Sequence, residues 1–327
     1  MTRAARYAVG AALLAVVCFA VNPVAILQSL AHADLRLALV GVLGLVAMHA
    51  VMAAGWRWMI TERSGVRLSL ADALRAHYAA QAVGSVTPGN LGADVHRAAL
   101  LRRAGHGWSA AVDPIVAQRA TSYLALSLLA AAALVFLSSS SPASWAIVAI
   151  ATAVAIGLVG ASWLLLVPGG RFGAIRAWLL ARFDRTGASA SAAAPAPSVT
   201  LMAGGVASGL AFHAGSIGLT WLLVQAMDPA TPLWPMLAAI TVARLSLAIP
   251  ISPNGLGVQE GALAALVAGL HLAPEPALAA MLVGRLSTLL LAALGVLLLM
   301  LGSRPSTTGN HSAATAAQIA TGRGKLP

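Results

Sequence analysis

Six stretches of this sequence consist almost entirely of Ala, Leu, Val, Ile, Gly and Met, near residues 8–30, 37–60, 114–137, 144–167, 200–227 and 277–301. Each reaches the roughly 20 residues that a helix needs to cross about 30 Å of hydrocarbon. Only 9% of the 327 residues are charged and 59% are hydrophobic, against about 25% charged in soluble domains. In lipid every backbone polar group must be satisfied within the segment, so long apolar runs form helices. The expected class is an all-α polytopic membrane protein with six full spans. Pro23 falls inside the first run and is expected to kink it rather than end it. That run has a second reading as a signal peptide, with Arg3 and Arg6 before it and AHA at 31–33 as a cleavage site. Its length favours a retained helix.

The formal net charge of +11 would point to nucleic acid in a soluble protein. In a membrane protein, basic residues mark the cytoplasmic loops. Placing the N-terminus in the cytoplasm puts 16 of the 20 basic residues there. Arg57, Arg63, Arg67, Arg75, Arg97, Arg102 and Arg103 are among them, and only Arg36 falls outside. No nucleic-acid partner is therefore expected, and both termini are expected on the cytoplasmic side of the cell membrane.

Two regions resist the simple pattern. Residues 68–104 are too polar to cross lipid alone, and 233–272 are interrupted by Pro250, Pro253, Asn254, Gly255 and Gly257. Each reads as a broken-helix hairpin. The breaks resemble one another: TPGNLGADV at 87–95 aligns with SPNGLGVQE at 252–260, matching Pro88 to Pro253 and Gly92 to Gly257. Gly89 and Gly255 sit in the same turns. Arg119 meets Arg285 after one inserted residue. Three spans separate the hairpins, an odd number, so the second unit is expected upside down relative to the first. Repeat units of about 68–137 and 233–301 then make an inverted repeat, an architecture of many transporters. A single transmembrane domain over 1–301 is expected, with a cytoplasmic amphipathic segment and linker at 171–198 and a disordered cytoplasmic tail at 302–327.

Arg119, Arg244 and Arg285 lie in apolar surroundings, where each costs roughly 2.5–3.5 kcal/mol at a helix centre. Asp94, Asp113 and Glu260 are the acids within reach. One reading pairs these charges to lock helices together. The other leaves some arginines to hold an anionic headgroup, for which their planar fork suits phosphate. Asp94, Arg97, Arg119, Arg244, Glu260 and Arg285 form the candidate substrate site, with Asp94 and Arg97 on one helix face. GVASG at 205–209 reads as close helix packing. His213 reads as a satisfied buried histidine, and Trp56 and Trp58 as interfacial anchors.

Catalytic classes find little support. Cys18 is the only cysteine and Lys325 the only lysine, which excludes CxxC chemistry and a Walker A loop. No GxSxG elbow or HExxH is present. His77, His96 and His106 lack metal-ligand spacing. No enzyme, cofactor or metal is expected.

Two blocks carry a resemblance. NLGADVHRAALLRRAGHGWSAAVDPIVAQRATSYLAL and ISPNGLGVQEGALAALVAGLHLAPEPALAAMLVGRLS resemble the Gly-Asp-x-x-Arg and Pro-x-x-Gly-x-Gly-x-x-Glu blocks of the lysylphosphatidylglycerol synthase transmembrane-region, or flippase-like, family. Ala93 stands where a glycine before the acid is usual. The resemblance covers about residues 8–301 and implies translocation of lipids or lipid-linked groups between leaflets. Some relatives add a soluble aminoacyl-transfer domain. None is expected here, so synthase chemistry is not carried over. An anionic membrane lipid is the expected ligand. A scaffold that docks a membrane-bound enzyme of envelope lipid or glycan synthesis is the alternative.

Overall fold

The computed structural model describes residues 3–87, 90–137, 198–248 and 252–301, with isolated positions between 153 and 160. The fourth expected span at 144–167, the amphipathic segment and linker at 171–198 up to Ser198, the tail at 302–327, and Pro88 and Gly89 lie outside the described residues. Among the described residues the secondary structure is helical. The helices are α1 (Arg3–Val21), α2 (Pro23–Ala31), α3 (Leu35–Ser64), α4 (Leu70–Gly84), α5 (Leu91–Arg103), α6 (Trp108–Leu137), α7 (Val199–Met227), α8 (Leu233–Leu245), α9 (Val258–Gly269) and α10 (Pro274–Met300).

Four of these are long and apolar enough to cross a membrane: α3, α6, α7 and α10. At 1.5 Å per residue the 30 residues of α3 span about 45 Å. The first run differs from expectation. Pro23 ends α1 instead of kinking it, and α1 and α2 meet at 87°. Proline removes a backbone donor and drives the preceding residue out of the helical region. Asn22 accordingly adopts φ 115° and caps α2, its Oδ1 accepting from Val24 N–H at 3.1 Å and Ala25 N–H at 3.3 Å. Of the six expected spans, four are long helices and the first is this bent pair; the fourth, at 144–167, lies outside the described residues but for isolated positions.

The shorter helices form the two hairpins, α4–α5 and α8–α9. The packing pairs fall into matched sets. α3 packs on α4 as α7 packs on α8; α5 packs on α6 as α9 packs on α10; α4 packs on α10 as α8 packs on α6. Two further sets match, α3 with α6 and α7 with α10, then α3 with α10 and α7 with α6; α1 and α2, which pack on α9 and α10, have no counterpart among the described residues. The α3–α7 contact pairs the two leading helices with each other. α3 and α7 thus hold matching places ahead of the two hairpins.

α3 and α7 run antiparallel. Gly41 faces Leu223, Gly44 faces Leu219, Gly215 faces Met48, and Gly204 faces Trp58. The approach is close because these positions lack side chains: a Cβ on Gly41 would lie 2.4 Å from Leu223 Cδ2, and one on Gly205 would lie 2.3 Å from Met59 Cε. Small residues let helices approach where lipid supplies no hydrophobic drive for association. Gly205 and Gly209 of GVASG meet α6 as well, at Thr121 and Ser122, as expected of a packing motif. One consequence places the hairpins. The turns flanking α4–α5 lie beyond the C-terminal end of α3, whereas α7 ends beside the start of α3, where Asp34 N–H donates to Ala226 O at 2.8 Å. The bases of the two hairpins sit at opposite ends of this helix pair.

Candidate functional site

The first hairpin turns through Asn90, whose φ of 58° is left-handed. Its two arms touch at Gly92. The Gly92 N–H donates to Thr87 Oγ1 at 2.8 Å, and a Cβ there would meet Val83 O at 2.6 Å. One turn into α5, Asp94 accepts from Arg97 on its own helix and from Arg119 Nε on α6. Arg97 also donates to Gln118 Oε1 at 2.9 Å, and its guanidinium lies 5.3 Å from the centre of the Trp56 ring. Gln118 in turn donates to Met52 O at 2.7 Å. Arg119 donates to Tyr123 Oη at 3.0 Å. One carboxylate thus ties α5 to α6, Gln118 ties α6 to α3, and Trp56 of α3, only 1% exposed, serves as the platform beneath Arg97. It is not the interfacial anchor its place near a span end suggested. Trp58 packs over Gly204.

The second hairpin turns through Pro253, Asn254, Gly255 and Gly257. Asn254, Gly255 and Gly257 all have positive φ, of 47°, 68° and 78°, and Leu256 N–H closes back on Pro253 O at 3.0 Å. Glu260 is fully buried in the first turn of α9. Its Oε2 accepts from Gly257 N–H at 2.9 Å, satisfying one of the donors a helix start leaves free. Its Oε1 accepts from Arg285 Nε on α10 at 2.7 Å, and Arg285 also donates to Asn254 O at 2.8 Å. The same arginine therefore holds both the acid and the backbone of the break.

The two ion pairs share a spacing. Asp94 and Arg119 are 25 residues apart, as are Glu260 and Arg285. The sequence alignment placed the inserted residue between acid and arginine. The structure moves it ahead of the acid, between Gly257 and Glu260, and so makes Asp94 and Glu260 counterparts.

Between the two breaks lies a cavity of about 250 Å³. The first hairpin contributes Gln81, Ser85 and Asn90, and the second contributes Arg244, Leu247, Asn254 and Gln259. Leu45 and His49 come from α3, Phe212, His213, Ser216 and Thr220 from α7, and Arg285, Ser287 and Thr288 from α10. Among the described residues no carboxylate lines it. Arg244 forms no ion pair among the described residues, and its buried Nε has no hydrogen-bond partner there. His213 Nε2 bonds Ser122 Oγ at 3.0 Å, but its buried Nδ1 is also without a partner. Buried polar groups normally find partners, and those that lack them mark places where something else binds. Donors therefore converge on this cavity with no built-in negative charge, an arrangement suited to an anion.

The six candidate site residues separate accordingly. Arg244 and Arg285 line the cavity; Asp94, Arg97 and Arg119 form a cluster of their own; Glu260 stands behind Arg285. Asp113, weighed as a partner for an intramembrane arginine, faces Arg63 at 4.0 Å. Among the hairpin residues, Gly92, Pro253, Gly255 and Gly257 lie in the breaks. Sequence reasoning missed the lining residues His49, Gln81, Asn90, Ser216, Thr220 and Gln259. One signal was available: His213, Ser216 and Thr220 recur at helical spacing on an otherwise apolar span.

A search of curated proteins found no match for this chain. The family model for the lysylphosphatidylglycerol synthase transmembrane region, in contrast, matches residues 3–295. This match takes in both hairpins, both ion pairs and the cavity, and with the long apolar helices it makes the protein a membrane protein of lipid handling. The chain belongs to the lysylphosphatidylglycerol synthase transmembrane-region family.

Proposed function

We propose that this protein is a flippase-like transporter that moves an anionic phospholipid, or a lipid-linked headgroup of the same charge, across the cell membrane. The observation that carries this reading is Arg244. It is the intramembrane arginine without a carboxylate among the described residues, and it faces a cavity bounded by both hairpin breaks. At about 250 Å³ the cavity falls below the roughly 300–1,000 Å³ of pockets that bury a whole drug-sized ligand. A headgroup fits it while the acyl chains stay in lipid. Arg244 would meet the phosphate, Arg285 would share it, and the amides and hydroxyls of Gln259, Ser216 and Thr220 would bond the rest of the headgroup.

The proposed mechanism is alternating access between two hairpins of opposite orientation, with Arg119 and Arg285 bracing them. Its support is the matched packing of α3–α6 with α7–α10, the antiparallel run of α3 and α7, and the equal acid–arginine spacing. Inverted repeats with broken helices at a central site have this logic. The reading involves no chemistry on the lipid. Both termini are placed in the cytoplasm by the distribution of basic residues.

A non-transporting scaffold for envelope lipid or glycan synthesis is the second reading, and the paired charges at Asp94 and Glu260 favour it. Reconstitution into liposomes with a labelled phosphatidylglycerol separates the two. Wild type is expected to translocate the label, with Arg285→Ala and Arg244→Gln strongly impaired. Equal rates for all three would remove the site, and no translocation by wild type would favour the scaffold.

A further inference from the structure

A hydrogen-bonded line leads from the tip of the first hairpin into the cavity. Asn90 Nδ2 donates to Gln81 Oε1 at 3.3 Å, which turns the Gln81 amide nitrogen toward His77 Nε2 at 3.2 Å. His77 Nε2 therefore accepts, and the ring proton of His77 sits on Nδ1, which is buried without a partner. His49 Nδ1 lies 3.2 Å from the same His77 nitrogen, and in the tautomer that fits, His49 Nδ1–H donates to it, sharing its single lone pair with the Gln81 amide. The other ring nitrogen of His49, Nε2, is then the lone-pair nitrogen, and His49 lines the cavity. Two imidazoles in contact, on α3 and α4, thus join the hairpin break to the place where the headgroup would bind.

The surroundings of this pair are cationic. Arg244 of α8 lines the same cavity as His49, and Arg97 stands on α5, the arm packed against the α4 helix of His77. From α7, Phe212 meets the His49 ring edge-on at 5.7 Å, and His213 lies beside Phe212. Tyr78 of α4 meets the His77 ring edge-on at 6.1 Å, and Arg285 of α10 lines the same cavity. Among the described residues no carboxylate of the cavity wall offsets these charges. An anion at Arg244 would.

We propose that the His49–His77 pair is a protonation site that links movement of the anionic headgroup to uptake of a proton. This rests on the transport reading above. When the headgroup enters, its charge offsets that of Arg244, and a proton from water adds to His49 Nε2. His49 Nδ1–H keeps its bond to His77 throughout, so no other proton need move. When the headgroup leaves, the proton leaves with it. Linkage makes the effect reciprocal: if the anion favours the proton, the proton favours the anion to the same degree. Intramembrane histidines in contact are the chemistry of proton relays. The line through Gln81 to Asn90 would report the charge of the pair to the turn that must move.

The test uses the full-length protein in detergent, titrated with dihexanoylphosphatidylglycerol in weakly buffered solution containing a pH dye. Dihexanoylphosphatidylcholine is the zwitterionic control. The phosphodiester does not itself titrate between pH 5 and pH 9, so any proton taken up belongs to the protein. Wild type is expected to take up protons on binding the anionic lipid, with affinity rising about tenfold per unit fall in pH where the pair titrates. The zwitterionic lipid should produce neither. His49→Gln is expected to bind with an affinity independent of pH and to take up nothing, and His77→Gln to shift the pH at which affinity changes. Binding by wild type without proton uptake would overturn the linkage and leave the transport reading standing. A slope unchanged in His49→Gln would overturn the assignment to this pair. No preference for the anionic lipid would overturn both. The wild-type dye measurement decides even if a variant fails to fold.

Discussion

The two hairpin breaks draw on like charges and use them differently. Beside each break stand one acid and two arginines: Asp94 with Arg97 and Arg119, Glu260 with Arg244 and Arg285. In the first unit the extra arginine follows the acid by three residues on α5, bonds to it, and is further held by Gln118 and Trp56. In the second the extra arginine sits on the other arm of the hairpin, α8, out of reach of Glu260. One unit is closed on itself and the other presents a cation to a cavity. Position within the hairpin, and not the charge inventory, decides which half has a ligand to hold.

Removing Asp94 should show the closed unit at its most sensitive, because two guanidiniums lose the carboxylate they share. Breaking a buried pair costs about 3–5 kcal/mol, and Asp94→Ala is expected at the upper end, read as a large fall in the thermal unfolding temperature in detergent. Glu260→Ala strands one arginine, which keeps its bond to Asn254 O, and is expected nearer about 3 kcal/mol. Equal losses would mean that the second arginine of the first unit is held without Asp94.

Arg244→Gln should behave in the opposite way to Arg97→Gln. A hydrogen bond to a charged group is worth about 1.5–3 kcal/mol, so the Arg244 variant should bind anionic lipid about 10- to 100-fold more weakly while unfolding near the wild-type temperature. Arg97→Gln should unfold early and, where folded, bind normally. The cation–π contact of Trp56, worth about 1 kcal/mol or more when buried, should show as a smaller cost of Trp56→Leu in an Arg97→Gln background than in wild type. An equal cost in both backgrounds would make Trp56 a filler of space, not a platform.

Much of this was legible in the sequence. Charges are so costly in lipid that Arg119, Arg244, Arg285 and their acids stood out one by one, and proline and glycine marked both breaks. What escaped depends on contacts between distant elements. His49 and His77 lie 28 residues apart on different helices, and no periodicity links them. Trp56 looked like an anchor because it stands near the end of an apolar run; α5 folding back across it places Arg97 over its face. Pro23 was read as a kink because kinks and breaks share a signal, and the cap supplied by Asn22 decides for the break. α3 and α7 share a packing role and no motif, so nothing in the sequence paired them.

The orientation of the two hairpins is the point on which the rest depends, and their bases can be located directly. In a Cys18→Ala background, single cysteines at Ala104, in the turn after α5, and at Ala230, in the turn before α8, are both exposed. With a membrane-impermeant maleimide on intact cells, the cysteine at Ala230 is expected to label at once and that at Ala104 only after permeabilisation. Labelling of both from the same side would contradict the inverted arrangement, and with it the cavity reached from two faces.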